Sequence, residues 1–458
     1  MSGKVWCRAV AWELRRSLRG RGAWIVLGAL FAAGLFSLAV GERFWRAQRE
    51  EIARLPAQYE AQMERLAHRY HRGGEAGYWA YYTASPTWQQ PHPLAAMTWG
   101  VRDVAPMVTW VRLLGLEPQL YESPMGNPRL QALGGFDLAF VLGLLAPCAL
   151  LLLSHDVLSR DASRGALRLL AVHAGGLAPV LWARVTAALL LVLATCTLLW
   201  LAALVWPGLD VRPTWDSAIW LGSAALHLLF WAAFAAVIAS YARSPAASLA
   251  AALGGWVFLV VLMPALVNLA LSASFPVPEG LELTVRQRQA MHETWDQPRQ
   301  PNFARFLRLH PEWPHVKNVP EDFTWTWYYA MHELADHAVS ELAAKYAQRL
   351  RERRVWTERL SWLCPPVRLQ LRLCAIARTD LESHLLHLER VRTYHHQLKL
   401  HFFPLIAADQ TLLPADTAHF PRFSDSSPPS LPLPASTPLI LLPLAALFLV
   451  RPARLLAA

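Results

Sequence analysis

The stretch SHDVLSRDASRGALRLLAVHAGGLAPVLWAR, Ser154 to Arg184, sits between two long apolar runs, Phe136–Leu153 before it and Leu177–Trp206 after it. Charges held between two membrane spans must lie at one water interface. Here Arg160, Arg164, Arg168 and Arg184 outnumber Asp156 and Asp161. The arginine excess predicts that this loop faces the cytoplasm. Val157, Ala166, Leu167, Leu169, Leu170 and Val172 interleave with the charges at spacings that a short helix sorts onto one face, with Gly165 interrupting.

Composition places the chain in the same class. Its 458 residues are 54% hydrophobic and include 21 tryptophans, with a formal net charge of +10. A mean hydropathy of +0.24 is too apolar for a soluble enzyme. A basic balance in a soluble protein points to nucleic acid. These arginines gather beside apolar runs, where membrane orientation accounts for them, so no nucleic-acid partner is expected.

Working outward, residues 1–22 carry Lys4, Arg8, Arg15, Arg16, Arg19 and Arg21 against Glu13, and Trp6, Val10 and Leu14 recur at helical spacing. This predicts an amphipathic helix on the inner membrane face. Residues 23–40 are the first span; a cleavable signal peptide is the alternative, but no persuasive small-residue cleavage site follows. Residues 41–133 form a first extracytoplasmic insertion. It opens on a long amphipathic helix marked by Ile52, Leu55, Tyr59, Met63, Leu66 and Tyr70, and continues through an aromatic part containing Tyr78, Trp79, Tyr81, Trp88 and Trp110. Spans at 134–153, 177–206, 217–242 and 246–271 follow, with the loop 154–176 inside.

Residues 272–432 form a second, larger insertion, helical over Leu281–Trp295 and Phe323–Trp356, broken at Pro365-Pro366 and helical again from Thr379-Asp380-Leu381-Glu382 to Phe402. A partly polyproline linker, 423–438, returns the chain to a sixth span at 433–450, and 451–458 is a cytoplasmic tail. The expected fold is therefore an all-α polytopic membrane protein with six transmembrane helices, an N-terminal interfacial helix, a cytoplasmic helix between spans 2 and 3, and mostly helical insertions after spans 1 and 5. Both termini are cytoplasmic.

Arg160-Asp161-Ala162-Ser163-Arg164-Gly165-Ala166-Leu167-Arg168-Leu169-Leu170 resembles the loop after the second span in ABC-2 type permeases, with Arg160 in place of a glycine, Asp161 of a glutamate and Ala166 of a threonine. Leu360 to Leu405 likewise resembles a segment in a subgroup of these permeases with two large extracytoplasmic insertions, known mainly as a domain of unknown function. Cys364-Pro365, Ala377-Arg378-Thr379-Asp380 and His384 take the matching positions, and Arg378 replaces a glycine.

The resemblance implies that the loop is a coupling helix seated in a separate ABC ATPase subunit, with Asp161, Arg164, Gly165, Ala166, Leu167 and Leu170 at the contact. It implies a non-catalytic transport subunit in a bacterial inner membrane, paired with a second permease chain as homodimer or heterodimer. ATP and magnesium belong to the partner ATPase. No phosphate-binding loop occurs in this chain, so it holds no cofactor of that kind. A membrane-anchored binding or assembly module, its outer domains holding an extracytoplasmic partner, is the competing reading.

Other chemistry is weaker. His332 and His337 in HELADH are five apart, about 140° from a shared helical face, and so fail the zinc-protease geometry. His384 with His387, and His68 with His71, each supply two metal ligands with no third in view. Cys364 and Cys374 can bridge only if the chain folds back after Pro365-Pro366; in one straight helix they stand about 15 Å apart against a limit near 7 Å.

Overall fold

A computed structural model describes residues 3–121, 135–311, 322–425 and 433–457. Part of the first insertion and part of the linker expected at 423–438 fall outside those residues. Helices dominate, joined by two small two-stranded antiparallel sheets.

Five helical runs are long and apolar enough to cross a membrane: Arg21–Arg69, Leu138–Ser163, Ala178–Val205, Trp215–Tyr241 and Pro245–Ser274. The N-terminal helix α1 (Gly3–Arg19) is amphipathic as expected, and Gly20 separates it from α2 (Arg21–Arg69). The first span and the amphipathic helix after it are one uninterrupted α2. At 1.5 Å per residue its 49 residues reach roughly 74 Å. Its apolar half buries Leu27, Leu30 and Leu38 among the other spans, and its far half buries Tyr59, Met63 and Leu66 in a second core, with Leu55 buried just before them.

That second core unites what the sequence presents as two insertions. Around it pack α3 (Ala76–Tyr82), α4 (Leu116–Tyr121) and, from the second insertion, α13 (Arg299–Leu309), α14 (Trp325–Leu360) and α16 (Leu381–Ala407), while α12 (Glu279–Asp296) packs on α14 in a smaller cluster of Leu283, Val339 and Ala343. The short strands β1 (Gly74–Glu75) and β4 (Thr411–Leu412) pair across them, while β2 (Ser85–Trp88) pairs with β3 (Val108–Val111). Trp79, Trp327, Phe303, Phe306 and Phe402 are fully buried here, so the aromatic richness serves packing.

Two expectations are corrected. The sixth span expected at 433–450 holds an eleven-residue helix, α17 (Thr437–Leu447), about 16 Å long and by itself short of a core of roughly 30 Å. Arg372 bonds both Ser223 and the Pro434 carbonyl and the Tyr241 hydroxyl donates to the Leu449 carbonyl, so the segment runs along the fourth apolar helix. Ser436 precedes α17 and a turn at Phe448–Val450 ends it, with Pro438 and Pro443 depriving the segment of two backbone donors. Secondly, α15 (Pro365–Ile376), assigned to the outer insertion, sends Leu369, Leu373 and Ile376 into the same apolar core as the spans. Its buried Arg368 and its Arg372 reach back to the carbonyls of Ala435 and Pro434.

The proposed disulfide does not form either. Cys364 caps α15, Cys374 lies near its end, and both thiols are free. Pro365-Pro366 starts this straight helix, since proline at the first helical positions sacrifices only a donor that has no partner anyway.

The polar residues inside the spans are hydrogen-bonded between helices. His227 Nε2 lies 3.1 Å from the Gly143 carbonyl and 2.9 Å from Trp231 Nε1. Asn268 and Ser272, at the end of the fifth run, each accept from Arg353 of α14, at 3.0 and 2.9 Å.

Close helix contacts rest on glycine. A Cβ on Gly41 would stand 2.1 Å from the backbone oxygen of Ala96, whereas one on Gly28 would meet nothing within 4 Å. Alanine gains about 1 kcal/mol of helix propensity over glycine, and overpacking costs about 1–3 kcal/mol. Gly41→Ala should therefore lower the melting temperature of the purified chain, and Gly28→Ala should leave it equal or higher; thermal unfolding in detergent measures both.

Candidate functional site

The loop of the opening stretch folds into two short helices, α6 (Ser159–Ser163) and α7 (Leu167–Ala174), between α5 (Ala146–Ser154) and α8 (Ala178–Val205). Gly165 makes the corner at φ +71°, where a side chain would be strained although space is free. The Ala166 N–H donates to the Asp161 carbonyl at 3.0 Å and closes the turn. Gly175 at φ +68° and Gly176 at φ +124° end α7 in the left-handed manner that glycine permits, and buried Leu177 leads into α8.

Arg184, one turn and a half into α8 and only 8% exposed, holds the loop. Its Nε donates to Glu13 of α1 at 3.0 Å, and its Nη1 donates to Asp161 of α6 at 2.5 Å and to the Val157 carbonyl. Glu13 also pairs with Arg16 at 2.8 Å. One guanidinium thus joins the interfacial helix, the loop and the third apolar helix. Its planar fork suits several oxygens at once, which a lysine cannot match.

The residues expected at the contact divide accordingly. Asp161 and Leu167 turn inward and Leu170 is half-buried, while Arg164 and Gly165 are exposed and Ala166 is half-buried. Leu169 and Val172, outside the expected set, are the prominent ones, at 65% and 80% exposure. Their i, i+3 spacing, opposite the face carrying Leu167, Leu170 and Ala171, is the signal that separates them. Nothing in the sequence pairs Arg184 with Glu13 across 171 positions.

The histidine motifs of the body around the second core, called the outer body because it lies outside the apolar bundle, are brackets for a turn. His332 Nδ1 accepts from the Gly115 N–H at 3.2 Å, Asp336 accepts from the Leu116 N–H at 2.6 Å, and His395 Nε2 lies 3.0 Å from the Leu114 carbonyl. Glu333 between them pairs with His310 at 3.5 Å and with Lys399. Among the described residues no three His, Cys, Asp or Glu side chains converge as a metal site.

Removing Arg184 takes from Glu13 and Asp161 the buried cation they share and leaves Glu13 only Arg16, and breaking such a buried pair costs about 3–5 kcal/mol. Arg184→Ala should strongly lower thermal stability, and the Glu13→Leu, Arg184→Leu double substitution should recover part of the loss, as differential scanning fluorimetry would record. Acid acts on the outer body. Burial lowers His332 to about 4, and His387 and His395 to about 3, from 6.5. Between those values and 6.5 the unfolded chain binds protons that the folded chain refuses, so stability falls as pH falls. Asp336, raised by burial to about 7, works the other way. The lowered histidines outnumber the raised carboxyls, so unfolding takes up protons on balance in this range. Melting temperature should therefore drop between pH 7 and pH 5.

Residues 281–425, from α12 to the Arg390–Asp425 ion pair, match the family described as Domain of unknown function (DUF3526). No curated protein and no solved structure matches the chain.

Proposed function

We propose that this chain is the membrane permease subunit of an ABC-2 type transporter in a bacterial inner membrane. It couples ATP hydrolysis by a separate ATPase subunit to export, or to extracytoplasmic handling, of a substrate. The observation that carries the reading is a short helix, α7, offering Leu169 and Val172 to a partner while the base of its loop is locked through Arg184 to Glu13 and Asp161. Apolar side chains on a helix outside the apolar bundle favour a protein partner, because water contact costs free energy for each.

The loop is also mechanically suited to this role. A push on α7 is transmitted through Asp161 and Arg184 to α8 and α1 together, since the ionic junction is buried and resists separation. From there α2 carries displacement along one unbroken helix into the outer body. The match of 281–425 to a family of unknown function overlaps Leu360–Leu405, the segment that resembles the permease subgroup, and so favours the same reading. Both termini lie in the cytoplasm, ATP and magnesium bind the partner, and a second permease chain completes the pathway.

Leu169→Asp with Val172→Asp tests this. The double variant should keep the yield and melting temperature of the parent, because both side chains are exposed. Co-purification with an ABC ATPase encoded beside it should be lost. An ATPase complex that survives, or a parent chain that brings down none, favours the anchored binding module.

A further inference from the structure

Two of the apolar runs leave α-helical geometry. Val141–Leu145, at the start of the second run, and Phe258–Leu262, in the middle of the fifth, are π-helical. A π segment widens the helix and costs hydrogen-bond geometry, and it occurs disproportionately at functional sites. Here side chains from other helices support both. The Trp256 indole N–H donates to the Leu144 carbonyl at 3.1 Å, and the Cys364 thiol to the Leu259 carbonyl at 3.3 Å. In an apolar medium such carbonyls need partners, and here the fold supplies them.

The two segments line one cavity of about 380 Å³, at the end of the bundle beside the outer body. Phe140, Leu144, Val260 and Pro264 form its apolar wall, and α15 closes it with Pro366 and Val367. The other end is acidic. Asp103 and Asp137 both line it, with Gln370 and the Trp99 ring, and among the described residues no arginine or lysine does, although the chain carries a net charge of +10. The carboxylate of Asp137 is consumed by the N–H groups of Trp99 and Phe140, at 2.8 and 2.7 Å. Asp103 accepts from the Gly135 backbone, which leaves it acceptor capacity. Burial disfavours its charged form, and a bound cation relieves that.

We infer that this cavity binds a single-chain amphiphile with a cationic amine headgroup, its chain along the π-helical walls and its nitrogen at Asp103. A volume of about 380 Å³ accommodates a chain of around a dozen carbons. An anionic headgroup is excluded by the two carboxylates. The site stands independently of the transporter reading: it needs neither an ATPase nor a second chain.

The experiment uses the full-length chain in phosphatidylcholine nanodiscs, with radiolabelled dodecylamine, dodecanol and dodecanoate as probes. Dodecylamine should bind saturably, with dodecanol weaker by about fivefold, the worth of a partly exposed ion pair. Asp103→Asn should bring dodecylamine down to the affinity of dodecanol and leave dodecanol unchanged. Val260→Trp, which fills the cavity, should abolish saturable binding of both. A third variant guards against misfolding: with Cys7 replaced by serine, Val104→Cys at the cavity mouth should be shielded from a water-soluble maleimide by dodecylamine. Dodecanoate binding as tightly as dodecylamine, unchanged amine affinity in Asp103→Asn, or absence of shielding at position 104 would each overturn the assignment.

Discussion

Arg184 is a charge that the fold cannot leave alone. It projects from the start of an apolar helix at a depth where water is scarce, and an unpaired guanidinium there costs several kcal/mol. Glu13 and Asp161 approach it from two other segments, and the Val157 carbonyl takes a further N–H. This need for compensation is what brings the N-terminal helix beside the loop. It also gives α6 a fixed base, from which the Gly165 corner projects α7 outward.

The opposite end of the molecule is built on shared surface rather than shared charge. α2 enters the outer body without a break, so the apolar bundle and the aromatic core are two stretches of one rod. Arg353 adds a second tie by donating to Asn268 and Ser272 at the end of the fifth run. α15 adds a third, lying in the bundle core while its arginines seek the carbonyls of the returning linker. A helix with apolar and cationic faces settles at such a boundary, the long cationic side chains reaching toward polar groups. With three ties the body and the bundle do not form independent units, and the π-helical cavity lies where they meet.

Much of this architecture was readable without coordinates. Five of the six expected spans are recovered because length and hydropathy set membrane-crossing capacity locally. The stripe from Leu55 to Leu66 is helical and buried, and the break at Pro365-Pro366 starts a helix as proline's fixed φ demands. Over 433–450 the regular helix is shorter than the apolar composition suggests, because two prolines remove backbone donors from the run. Cys364 and Cys374 are kept apart by the same regularity, which no count of cysteines reveals.

The chain alone determined which segments are apolar, which are amphipathic and where arginine accumulates, since these depend on neighbours within a few residues. It marked Asp161, Gly165 and Leu167 at the loop by their place between two apolar runs. Only the tertiary structure decided that Arg184 meets Glu13, that Leu169 and Val172 are the exposed pair, that the two insertions share one core, and that two π segments face each other across a cavity. Apart from the exposed pair, each of these joins positions tens to hundreds of residues apart. Periodicity names the face a residue occupies on its own helix, and it carries no information about which distant face will cover it.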